Sequence, residues 1–402
     1  MPTDDSRLQS MIQLLEALVA HPSRAGVDSP EPVLRTVSDW LGAHGIDHAW
    51  LRDDAGQPLG LWGEFAGAGA GPTYLLDATA DTAPYGDPAA WRHPPERPTV
   101  EDGWMYGRGC ADSKSGIAVF CHVLADLLPR RDAWRGRLGF VFDAEEHTGS
   151  FAGIRRYMAE RKGEPLAGVM IGYPGNDRLI TGARGFLRAT VSVRGMAAHS
   201  GSSSQRGVNA IARAGRLLAA LEAAPLPSAD DGFPLPPRIT PTAIRGGGDY
   251  TLVPDHCEVD LDLRLTPAFP EAAARAWVEA ETTRLDAAGE APPTEIAWRA
   301  GWPPYRLDPD LPMARVLAEA AAEAFGHPVP SAVAGPSNIA NFLATLGVPA
   351  TAGLGVSYRN IHAPDECVRL DTLAPTFLAY RNALTRLLAR EDGAHNPHGR
   401  PR

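Results

Sequence analysis

The chain has 402 residues, 44% hydrophobic and 21% charged, with a formal net charge of −10. That length supports two domains with ample core, and the acidic balance excludes nucleic acid and anionic membranes as natural partners. Four scattered cysteines with no Cys-x-x-Cys pair exclude a disulfide framework and fit a reducing cytoplasm.

Residues 1–7 are acidic and no long apolar run follows, so neither a signal peptide nor a membrane span is expected. Leu8, Met11, Ile12, Leu15, Leu18 and Val19 recur at helical spacing and predict a packing helix over 8–20. A second helix spans 31–44, ended by Gly45. Strands at 48–52 and 59–62 flank an Asp-Asp-Ala-Gly turn. A buried strand at 74–78 leads to Asp81. A proline-rich loop, 84–98, follows and contains Trp91. Tyr-Gly-Arg-Gly-Cys-Ala-Asp-Ser-Lys-Ser-Gly then fills 106–116 and runs directly into an apolar helix. Gly107, Arg108 and Gly109 make a tight approach, and Asp112 stands where loop enters helix. Lys114 is one of only two lysines, with Lys162. A lysine here, in a chain that otherwise uses arginine, points to a need for a compact ammonium.

A strand at 139–143 leads to the adjacent Glu145 and Glu146; a helix at 152–161 and a strand at 168–172 come next. The alternation predicts an α/β domain, a largely parallel mixed sheet flanked by helices. Near 186 the pattern changes. Alternating strands at 186–194 and 257–265, with helices at 207–223 and 271–288, predict an inserted α+β domain over 186–294. The first domain, 1–185, resumes over 295–390 with helices at 312–325 and 373–388. Residues 391–402 are polar and are expected to fray.

Asp81, Asp112 and the Glu145–Glu146 pair bring carboxylates from three segments. His362 sits beside acids in Asn360-Ile-His-Ala-Pro-Asp-Glu366. Such carboxylates with a remote imidazole make a hard-cation or zinc constellation. Adjacent side chains on a strand point opposite ways, so Glu145 and Glu146 take separate roles, one facing metal and one facing substrate.

In this order the motifs resemble the zinc-dependent aminoacylase and carboxypeptidase family, over nearly the whole chain. The resemblance implies an amidohydrolase acting on an N-acyl amino acid or a small peptide-like amide. It implies Asp112, Glu146 and His362 as metal ligands, Glu145 as general acid/base, and Asp81 as the acid that orients a ligand or Asp112. It also makes the inserted domain a lid and a homodimerisation element. There, Gly195-Met-Ala-Ala-His-Ser-Gly201 carries His199 over the scissile carbonyl as an oxyanion donor, in its own or the partner's site. Asn209, Arg264, Ser337, Asn338 and Gly353 complete the implied substrate-binding set. Trp91, Tyr250 and Trp302 are further pocket candidates.

Two ligands of the family pattern are missing. Its His-x-Asp triplet reads Thr79-Ala80-Asp81, and the acid before a proline is Tyr173. Thr251 likewise stands where the family often has asparagine. Both missing ligands belong to one metal site, which leaves Asp112, Glu146 and His362 for the other. One zinc ion, or another divalent metal, is therefore expected per chain, with Asp77 and Asp177 as alternative ligands for a second. One cation polarises a carbonyl and acidifies a water but does not clamp two oxygens. Amide-forming or lyase chemistry, and a silent binding protein, are the alternatives to hydrolysis.

Overall fold

The computed structural model describes residues 4–389 apart from 224, 230, 231, 288, 290, 300 and 309; the expected tail at 391–402 lies outside them. Two units divide the chain. The first takes Met1–Thr181, Leu307–Ala332 and Asn338–Arg402, the second Gly182–Arg306 and Val333–Ser337.

The first unit is built on a six-stranded sheet. Its order is Ala49–Arg52, Pro58–Ala66, Arg135–Asp143, Gly69–Thr79, Leu166–Ile171 and Ala350–Thr351. The first two strands form an antiparallel hairpin, closed by Asp53, whose carboxylate accepts from the Ala55 and Gln57 amides. Pro58–Ala66 runs antiparallel to Arg135–Asp143, and the other pairings are parallel. Residues 73–79 are buried without a break, as expected of a strand covered on both faces.

Helix Ser115–Leu127 is apolar nearly all round, and every residue from Ser115 to Leu124 is buried. A helix with no polar face belongs in the interior. It packs with Asp4–Val19 and Leu373–Leu387 through a core that includes Leu15, Leu18, Phe120, Leu124, Phe377 and Tyr380. Phe120 meets Tyr380 edge to face at 4.8 Å, and the Tyr380 hydroxyl donates to the Leu354 carbonyl at 2.6 Å. Full burial of each such side chain contributes about 1.5–3 kcal/mol.

Parallel pairing fixes where the chain leaves the sheet. Thr79 lies opposite Asp143, and Asp77 lies opposite both Val141 and Ile171. The segments carrying Asp81, Glu145–His147 and Tyr173 therefore leave from the same sheet end, the carboxyl ends where ligands of open α/β sheets collect. Helix Ser115–Leu127 begins at that end. A Cβ on Gly116 would stand 2.3 Å from the Gly172 carbonyl oxygen, so only glycine allows this approach.

The second unit has a four-stranded antiparallel sheet, ordered Arg238–Gly246, His256–Leu265, Gly185–Arg194 and Glu295–Trp298. Every second residue of His256–Leu265 is buried, the period-2 pattern of a one-faced strand. Leu187, Val191, Val259, Leu261 and Leu263 share a core with Leu217 and Leu221 of helix Ala210–Ala223 and Val278 of Glu271–Asp286. This unit is wider than the 186–294 read from sequence. Residues 295–298 pair with Ser192 to Ala189, and Tyr305 and Arg306 pair with Ala183 and Gly182. The helix expected from Gly207 starts at Ala210, because Val208 bridges Met196 and the Asn209 carboxamide oxygen accepts the Ala212 amide.

Candidate metal centre

Asp112 enters on a glycine-built turn. Gly109 has φ +85°, a left-handed conformation suited to glycine, and a Cβ there would lie 2.4 Å from Thr82. The turn is held by Glu366, whose side chain is fully buried. Glu366 Oε1 accepts the amides of Gly109 at 2.9 Å and Ala111 at 3.0 Å, and Oε2 accepts Arg108 Nη1 at 2.5 Å. One carboxylate thereby ties the Asp112 turn to the loop that carries His362. Burial, opposed by Arg108 and the amides, raises the Glu366 pKa. In that loop Asn360, His362 and Asp365 have φ near +60°. The Asp365 carboxylate accepts the Arg92 and His93 amides across the site. Buried Lys114 donates to the His21 carbonyl at 2.8 Å, and burial lowers its pKa to about 7.

Asp112, His147 and His362 offer ligand atoms that all lie within 4.8 Å of one another. His362 Nε2 stands 2.8 Å from Asp112 Oδ2, and His147 Nε2 stands 3.3 Å from the same oxygen. The His147 side chain is 5% exposed and that of His362 53%, so the cluster opens outward on the His362 side. Burial works against the Asp112 carboxylate, but the two imidazoles outweigh it and hold its pKa well below the usual range. Burial also works against a charged His147, but Asp112, Asp81 and Glu146 outweigh it and raise its pKa.

Sequence reasoning missed His147. Its imidazole Nδ1 donates to Asp81 Oδ2 at 3.2 Å, and Asp81 also accepts the backbone amides of Glu146 and His147. The Thr79 hydroxyl donates to the other Asp81 oxygen. The signal available was a histidine directly after the Glu-Glu pair.

Glu146 lies outside the three-residue cluster. The Tyr173 phenol donates to Glu146 Oε1 at 2.8 Å, and Oε2 stands 3.5 Å from His147 Nδ1. Burial, reinforced by Asp112 and Asp81, pushes the Glu146 pKa up to about 7. Glu145 is half-buried, and burial followed by the Asp81 charge raises its pKa. Asp77 is fully buried beneath, with neither oxygen hydrogen-bonded, and burial with the Glu146 charge raises its pKa. Asp177 is instead exposed and paired with Arg178 at 2.5 Å.

The remaining sequence candidates have local partners. Asn338 caps helix Ile339–Thr345 by accepting the Ala340 amide. Arg264 pairs with Asp262 at 2.7 Å, and the Ser337 hydroxyl donates to the Arg184 carbonyl at 2.7 Å. His199 Nδ1 accepts the Gly201 amide, and Gly353, at φ +61°, packs against Ile180. Trp91 is buried under Arg108. Tyr250 is fully exposed, which removes it as a pocket wall within its own unit.

The donor set fits a divalent cation. Asp112 Oδ1 and His147 Nε2 are buried without a hydrogen bond, and the Asp81 and Glu146 carboxylates lie beside His147. Buried donor atoms left without a partner call for a cation, and one carboxylate with two imidazoles suits zinc.

A largely parallel sheet whose strand ends gather such donors, in a chain with a second α+β unit, is the architecture of a two-unit metallopeptidase. The sequence model of peptidase family M20/M25/M40 matches residues 75–386, and the chain belongs to that family. A succinyl-diaminopimelate desuccinylase of Xanthomonas campestris pv. campestris (strain 8004) is 30% identical over 393 residues, covering 94% of this chain and 99% of the relative. A tripeptidase structure from Staphylococcus aureus subsp. aureus Mu50 superposes with TM-score 0.77 at 18% identity, over 94% of this chain and 98% of the other. A dinuclear metal-binding M20 peptidase of Bacillus subtilis gives TM-score 0.68 at 17% identity, over 95% and 99%. The chain is thus a hydrolase of amide or peptide bonds, in a family that depends on metal.

Proposed function

We propose that this hydrolase removes an acyl group from an N-acyl amino acid or small peptide-like amide, using one zinc ion. The observation that carries the reading is the convergence of Asp112 and His362 on one point, with Glu145 at the neighbouring strand end. The desuccinylase relatives support the substrate class. Asp112 and His362 would hold the ion. When bound, it supplies polarisation of a carbonyl and acidification of a water. Glu145 accepts a proton from the attacking water and returns it to the departing amine. Asp81 fixes the orientation of the segment that carries Glu145, through its bonds to the next two amides.

The single-ion reading is supported by Thr79, which spends its hydroxyl on Asp81, and by Tyr173, which spends its own on Glu146. By the resemblance, His199 would act as oxyanion donor, and Asn209, Arg264, Ser337, Asn338 and Gly353 would bind substrate. We place the protein in the cytoplasm, in keeping with four buried free cysteines; among the described residues no helix is long and apolar enough to cross a membrane. It forms a homodimer through the inserted unit, where Met196, Ile211, Ile244, Tyr250 and Leu252 are exposed and Arg238–Gly246 is a sheet edge.

The test is hydrolysis of a panel of N-acyl amino acids, N-succinyl compounds included, before and after removal of metal by a chelator. Activity is expected on at least one member, lost on chelation and restored by zinc. Turnover that survives complete removal of metal overturns the reading.

A further inference from the structure

We propose that His147 is itself a metal ligand, supplied from the neighbouring strand end in place of an imidazole at Thr79, and that Asp81 is its positioning partner. This rests on the metal-dependent reading above and concerns which residues hold the ion.

Geometry carries the inference. Strands Gly69–Thr79 and Arg135–Asp143 are parallel neighbours, with Thr79 opposite Asp143. Asp81, two residues past the first strand, receives the Thr79 hydroxyl on one oxygen and His147 Nδ1 on the other. A carboxylate only accepts, so Nδ1 carries the proton. In the neutral ring that leaves the lone pair on Nε2, which points to Asp112 at 3.3 Å. A carboxylate holding one ring nitrogen while the other faces a cation is the usual arrangement of a metal-bound histidine. Asp112 Oδ1 is buried without a hydrogen bond, and His147 Nε2 likewise. Glu146, the acid expected from the sequence to complete the set, is engaged by Tyr173 at 2.8 Å.

The shared aspartate also explains how the exchange is tolerated. Thr79 and His147 bond the two oxygens of one carboxylate, so the room an imidazole needs at residue 79 borders the room His147 fills. A histidine at either position can use the same orienting acid.

Zinc affinity, read by competition with a chromogenic chelator, tests this, with the visible spectrum of the cobalt(II) form as a second readout. Loss of an orienting partner lowers affinity about 10–100-fold, the expected result for Asp81→Asn. His147→Ala is expected to lose more than about 100-fold and to shift the cobalt bands, while Glu146→Gln loses less than about tenfold. Thr79→His in the His147→Ala background is expected to recover at least about tenfold. Should His147→Ala not fold, His147→Gln keeps the volume and is expected to show the same loss. Wild-type affinity and spectrum in the folded His147 variants, or a loss that falls on Glu146→Gln instead, overturns the assignment. A folded double variant no tighter than His147→Ala overturns the replacement. Wild-type protein that binds no zinc sinks the metal-dependent reading itself, whereas the other outcomes leave it standing.

Discussion

Glu145→Gln is expected to lower kcat by about 10²–10⁴-fold, the usual contribution of a positioned acid/base, with zinc content and melting temperature unchanged. The backbone explains why the site tolerates the exchange. Glu145 sits at φ +71°, and its carbonyl accepts from Thr148 Oγ1 at 2.9 Å, Ser150 Oγ at 3.3 Å and the Phe151 amide at 3.1 Å. The turn is fixed by these three bonds to the Glu145 carbonyl, so an isosteric side chain leaves it intact. The pH profile gives a second signature. Burial and the Asp81 charge raise the Glu145 pKa. A general base must be ionised, so activity rises with pH through that pKa, on an acid limb shifted upward from the ordinary glutamate value. Glutamine does not titrate, and the variant's residual activity is expected to lack the limb. Unchanged kcat in Glu145→Gln removes the acid/base role.

Glu366→Ala is expected to destabilise the first unit by about 3–5 kcal/mol, the cost of leaving a buried charge unpaired. Arg108, with a side chain 2% exposed, loses the carboxylate at 2.5 Å, and the Gly109 and Ala111 amides lose their acceptor. Each orphaned buried donor adds about 1–3 kcal/mol before relaxation. The denaturant midpoint is expected to fall at nearly constant m-value. Burial raises the Glu366 pKa even against Arg108, which means the pair is expensive to desolvate. A double variant with well-packed apolar residues at 108 and 366 is therefore expected to lose less than Glu366→Ala alone. A fall in stability under about 1 kcal/mol for Glu366→Ala, the size of a surface pair, contradicts the anchoring role.

Much of this was legible in the sequence because it is local. The Asp-Asp-Ala-Gly turn announces its hairpin, and alternation in Cys257–Leu265 announces a strand with one buried face. Asp112 and His362 were picked out as candidate ligands because each lies in a distinctive turn. His147 was not, because no spacing links it to Asp81. They meet only because two parallel strands pair Thr79 with Asp143 and release both segments at one sheet end. Glu366 was visible as an acid near His362, but its three backbone-and-guanidinium contacts come from residues more than 250 positions away. The second unit's boundary was misplaced for a related reason. Residues 295–298 are too few to show a period, and their membership comes from pairing with Ala189 to Ser192.

The number of zinc ions bound per chain, measured by elemental analysis after gentle purification, bears most directly on all of this. A value of about one is predicted, from the three ligands plus an open position that define a catalytic zinc. About two ions per chain would show that Thr79 and Tyr173 do not close the second site, and none would contradict the metal centre altogether.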